Sequence, residues 1–78
     1  MYFSVQHVEP QPDYTLILTF ENGERKRFDM KPHLDKGVFR LLRDENVFRS
    51  ARVCFNTVTW DGDIAFDPEA LSEGGLPL

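Results

Sequence analysis

The chain has 78 residues, of which 41% are hydrophobic and 28% charged, with a formal net charge of −4. That length holds one domain with a thin core, because folding at this size buries only roughly 60% of the unfolded chain's surface. The apolar and aromatic content excludes a disordered chain, and no apolar run approaches the roughly 20 residues that span a bilayer.

In chain order, Met1-Tyr2-Phe3-Ser4-Val5-Gln6 has neither a basic stretch nor an apolar block, which argues against a secretory signal. Phe3, Val5 and His7 alternate with Ser4 and Gln6 as a first strand that ends at Glu9-Pro10. Pro10, Pro12 and Asp13 mark a turn. The run from Tyr14 to Phe20 is dense in β-formers and predicts the firmest strand. Parity then fixes the loop that follows it. A two-residue Asn-Gly turn would set Arg27 opposite Leu18 and Arg25 opposite Phe20, on the apolar face. A three-residue loop, Glu21-Asn22-Gly23, sets Phe28 opposite Leu16 and sends both arginines to the other face. That loop predicts a type I turn with a glycine bulge and positive φ at Gly23.

The middle of the chain predicts short helices. Asp35 can cap a turn carrying Val38, Phe39, Leu41 and Leu42 as one apolar stripe, and Asp44 a second turn carrying Val47 and Phe48. Arg52–Phe55 and Thr57–Trp60 read as two strands around Asn56. Asp67-Pro68-Glu69 starts a last short helix, with a cap, a proline in the first turn and an acid at the positive dipole end. The fold class is therefore α+β: an antiparallel sheet built from an N-terminal strand plus two hairpins, with short helices in the middle and at the C-terminus. The expected core is Leu16, Leu18, Phe20, Phe28, Val38, Leu42, Phe48 and Trp60. Residues 1–73 form the single domain and 74–78 a C-terminal tail. The paired glycines there carry a high ordering entropy and predict a loose end. The alternative is an extended strand that offers Leu76 and Leu78 on one face to a groove on a second copy or a partner.

The residues also resemble a family. Asn22-Gly23-Glu24, Phe28-Asp29-Met30, Pro32, Leu34, Gly37-Val38-Phe39, Leu42, Asp44, Phe48, Trp60-Asp61-Gly62 and Pro68-Glu69-Ala70-Leu71 occur in an order similar to the bacterial domain-of-unknown-function family 2442. The chain departs from it at Ala65, where many members have Asp, and at Ser72, where they have Tyr. The resemblance covers about Val8 to Leu71. It implies a small α+β interaction module inside a bacterial cell, in its lone form. Such a module is encoded beside a small partner protein, like the antitoxin member of a two-gene operon. It supplies no catalytic residues.

The chemistry-bearing residues assemble no enzyme. Asp61, Asp63 and Asp67 fail calcium-loop spacing, since Ala65 stands where a ligand belongs; a turn and a helix cap account for them. His7 and His33 have no partner at zinc spacing. Cys54 sits in an apolar strand as small packing, and a single cysteine fits a reducing cytoplasm. Ser4, Ser50 and Ser72 lack a nucleophile elbow, and no glycine loop cradles phosphate. No enzyme activity, metal or cofactor is expected.

Charge is the most informative feature. Between Arg25 and Arg52 lie all nine basic residues with four acids, a net of +5; the remaining segments hold nine acids and no base, a net of −9. The acidic ends can fold onto the basic middle, or the two can face partners separately. Arg25 and Arg27 share a strand face; Lys36, Arg40 and Arg43 follow helical spacing, and Arg49 extends the set. Such a surface suits an acidic protein partner or, alternatively, phosphates of a nucleic acid in a transcription-regulatory role. The negative total favours protein. Self-association stays open, and no membrane contact is expected.

Overall fold

The computed structural model describes residues 3–78. The N-terminal signal reading therefore rests partly on Met1 and Tyr2, which lie outside the described residues. Seven strands make two antiparallel sheets. The first has the order β1 (Val5–Pro10), β2 (Thr15–Phe20), β3 (Arg25–Asp29) and β7 (Leu76–Pro77). The second has the order β4 (Arg52–Cys54), β5 (Thr57–Trp60) and β6 (Ile64–Ala65). Between them in sequence come 3-10 helices at Lys31–His33 and Gly37–Arg43 and the helix α1 (Glu45–Phe48); α2 (Pro68–Gly74) precedes β7. The α+β antiparallel class is as the sequence implies, divided between two sheets, with β6 and β7 added to the expected strands.

The β2–β3 register confirms the parity argument. Leu16 lies opposite Phe28, Ile17 opposite Arg27 and Thr19 opposite Arg25. Gly23 has φ +84, and its N–H donates to the Phe20 carbonyl at 2.9 Å. One apolar cluster joins Leu16, Leu18, Phe20, Phe28, Met30, Leu42, Phe48, Val58, Trp60 and Leu71, all buried. The sheets meet through β1, which packs on β4 and β5 and donates the Val5 N–H to the Asn56 carbonyl.

Two expectations fail for the same kind of reason: the period changes. In β1 an irregularity between Val5 and His7 breaks the alternation, so Val5 and Val8 are buried while Phe3 and His7 are exposed. In the middle segment the helix from Gly37 is 3-10, not α. With three residues per turn, Phe39 and Leu42 share the inward row and Val38 and Leu41 an outward one. Val38 is accordingly 59% exposed rather than core. Asp35 makes no cap either; Lys36 occupies that position without a side-chain bond. Asp44 and Asp67 cap as expected, accepting from the N–H groups of Asn46 and Glu69.

The β4–β5 turn contains a local conflict. Phe55 and Asn56 have φ of +52 and +67, the two-residue hairpin geometry that favours Asn and Gly. Phe55 is 90% exposed there, so its ring gains no burial in return for the strained backbone. Phe55→Asn is expected to stabilise the domain by about 0.5–2 kcal/mol. The check is a rise of several degrees in Tm; an unchanged or lower Tm would show that the Phe55 ring contributes contacts.

Candidate functional site

The basic residues fall into two sets carried by different elements. On β3, alternation turns Arg25 and Arg27 outward, as expected, and Lys26 inward beside Phe28. Lys26 is thus structural. Its Nζ donates to the Ser72 carbonyl at 2.7 Å near the C-terminal end of α2, where helix carbonyls lack partners. It also pairs with Glu24 at 3.5 Å and lies 5.5 Å from the Phe20 ring centroid. The parity that placed Arg25 and Arg27 also singles out Lys26; its role was legible and missed.

The second set sits on the unit formed by the longer 3-10 helix packed on α1. Arg40 and Arg43 stand one 3-10 turn apart, and their Nε groups donate to the carbonyls of Asp35 (3.4 Å) and Leu34 (3.0 Å). Lys36 is exposed at the start of this helix. Arg49 pairs with Glu45 one α-turn earlier at 3.5 Å. Arg40 and Arg43 tie the longer 3-10 helix back to the turn that precedes it.

Three of the nine acids outside the basic window pair with it among the described residues. Asp13 meets Arg27 at 3.5 Å, Asp61 meets Arg52 at 2.9 Å and Glu24 meets Lys26. The Thr15 hydroxyl donates to the Asp13 carboxylate at 2.6 Å and, with the Arg27 charge, holds its pKa below the ordinary aspartate value. Arg25 has no ion pair among the described residues.

Of these residues, Arg25 and Arg27 lie on the outward face of the first sheet. Residues directly opposite in a ladder project to one side, so Glu9, Ile17, Arg27 and Leu76 form one row across four strands. His7, Thr19 and Arg25 form the next, and the Leu78 N–H donates to the Arg25 carbonyl at its end. Leu76 and Leu78 are 71% and 66% exposed. A cavity of 470 Å³ opens beside them, walled by Thr15, Arg27, Asp29, Gly74 and Pro77.

The tail is therefore not a loose end. Gly74 and Gly75 serve close approach, not freedom: a Cβ on Gly74 would stand 2.8 Å from the Phe28 ring, and one on Gly75 3.0 Å from both the Leu71 carbonyl and the Lys26 Cβ. Glycine here lets α2 end against β3 and turns the chain straight into β7. The sequence signal was present in the extended pattern Leu-Pro-Leu after two glycines.

Other candidates stay apart. His33 packs flat on Phe28 at 5.6 Å and edge-on to Phe66 at 5.2 Å, an aromatic contact rather than a ligand arrangement. Asp61 is taken by Arg52 and Asp67 by its cap, while Gly62 and Asp63 make a turn with positive φ. Cys54 is half-buried at a 250 Å³ cavity on the second sheet. Among the described residues no helix is long and apolar enough to cross a membrane. Neither the curated proteins nor the solved structures offer a match. The family model described as a protein of unknown function, DUF2442, matches residues 5–77, nearly the whole chain, and on that match the protein belongs to the DUF2442 family.

Proposed function

We propose that this domain is a non-enzymatic protein-interaction module, and that its contact surface is the outward face of the first sheet. The observation that carries the reading is the row of Arg27 and Leu76 beside Arg25 and Leu78: exposed cations interleaved with exposed leucines. Apolar side chains between cations suit a protein surface, whose contacts combine desolvated apolar area with Arg pairing. Phosphate binding gains nothing from the leucines and is opposed by the net charge of −4. Arg40 and Arg43 are engaged by backbone carbonyls and Arg49 by Glu45, which further weakens the phosphate reading. A small protein encoded beside this one, in an antitoxin-like pair acting in the cytoplasm, is the partner that the sequence resemblance implies.

The test is co-expression with the product of the adjacent gene. Co-purification is expected, together with its loss in the double variant Arg25→Glu/Leu76→Asp at an unchanged Tm. Retention of the partner by that variant would move the contact elsewhere. A gel shift of duplex DNA that weakens steeply between two salt concentrations would replace this reading with nucleic-acid binding.

A further inference from the structure

The inner edge of the first sheet holds a mismatch. β7 covers β3 with two strand residues, setting Leu76 opposite Arg27 and Pro77 opposite Lys26. The Leu78 N–H donates to the Arg25 carbonyl at 3.1 Å. In an antiparallel ladder hydrogen-bonded and non-bonded pairs alternate. Lys26–Pro77 therefore falls at a non-bonded position, and the missing N–H of Pro77 takes nothing from the ladder. Turned outward, the same proline blunts the free edge.

The pairing supplies backbone bonds without side-chain complementarity. Both leucines stand on the arginine face, where opposite charges would reinforce the ladder. Arg25 has no ion pair among the described residues, and the Arg27–Asp13 pair is exposed on both sides, so it exchanges easily. The tail can also leave without undoing what precedes it. α2 is held by its Asp67 cap, by buried Leu71 and by the Lys26–Ser72 bond, all before residue 75.

We propose that residues 76–78 are a stand-in strand over a strand-addition site on β3, whose true occupant is an extended segment of a partner protein with acidic side chains at alternate positions. Two carboxylates spaced by one residue lie opposite Arg25 and Arg27, and the backbone bonds now made by the tail pass to the partner. This rests on the face identified under Proposed function, where Arg25 and Arg27 stay to meet the partner while Leu76 and Leu78 move off β3 with the tail, and it names the partner's chemistry.

The test uses the full chain and a short synthetic peptide alternating valine and glutamate, with the valine–lysine counterpart as control. Gly75→Val loosens the stand-in, because its side chain meets the Leu71 carbonyl and the Lys26 Cβ. Lys26→Cys/Pro77→Cys, in a Cys54→Ser background, locks it: a non-bonded antiparallel pair has the short Cα spacing that a disulfide accepts. The glutamate peptide is expected to bind the parent, to bind Gly75→Val roughly tenfold more tightly because the competent state is more populated, and to shift the amides of Arg25 and Arg27. The oxidised locked protein is expected not to bind, and reduction of the same sample to restore binding; the lysine peptide binds neither. Equal binding by the oxidised and reduced forms overturns the proposal, as does failure of the glutamate peptide on both Gly75→Val and the reduced protein. If the oxidised protein still co-purifies with the adjacent gene's product, strand addition falls while the interaction face stands. If Arg25→Glu/Leu76→Asp keeps that product, the face reading falls and strand addition by that partner falls with it.

Discussion

Leu18→Ala is expected to destabilise the domain by about 2–5 kcal/mol. Leu18 is fully buried at the centre of β2, opposite Val8 on one side and Lys26 on the other. Its removal opens a void in the core cluster it shares with Phe20, Val58 and Trp60, which are themselves fully or almost fully buried. A chain of this length has a total stability of roughly 4–12 kcal/mol, so the substitution removes a large share of it. Urea titration checks the result: the midpoint should fall with the slope m unchanged. A midpoint close to that of the parent would mean that the site collapses around the alanine and that the core is set elsewhere.

Gly23→Val is expected to cost about 1–3 kcal/mol, and for a purely backbone reason. Gly23 has φ +84, and no atom lies within 4 Å of where its Cβ would stand, so crowding contributes nothing. The cost is the left-handed conformation, which a β-branched residue strongly resists. Gly23→Asn separates conformation from the loss of glycine, since Asn tolerates that region and should recover most of the difference. Equal losses in both variants would instead point to a role for the loop in packing. Thermal melts of the three proteins decide it.

The hairpin was legible because its signal is local and has a strict period of two: Leu16, Leu18, Phe20 and Phe28 leave one register that buries no arginine. The caps at Asp44 and Asp67 were legible for the same reason, as each depends on residues within one turn. Val38 was not. The run Val38-Phe39-Leu41-Leu42 fits an α-helical stripe, but a 3-10 turn divides it into an inward and an outward row. Two apolar rows on one short helix cannot both face the core, and composition does not say which period is adopted. The tail was misread because Gly74-Gly75 has two physical meanings. Local sequence weighs ordering entropy, whereas close approach to Phe28 and Lys26 depends on a strand far away in the chain. The candidate surface was half legible: Arg25 and Arg27 were placed on their face by parity, but the neighbouring Leu76 arrives by the one strand pairing that no local rule reveals.

That pairing also bears on the order in which the molecule assembles. Every other ladder joins strands adjacent in sequence: β1 with β2, β2 with β3, β4 with β5 and β5 with β6. Such a chain has low contact order in its backbone pairing, and its two meanders can form before the long loop between β3 and β7 is closed. Closure of the tail then belongs to the native side of the folding barrier. Substitutions at Gly74, Gly75 or Leu76 should consequently leave the rate of folding almost unchanged and appear in the rate of unfolding, whereas changes in the β2–β3 hairpin act on folding itself.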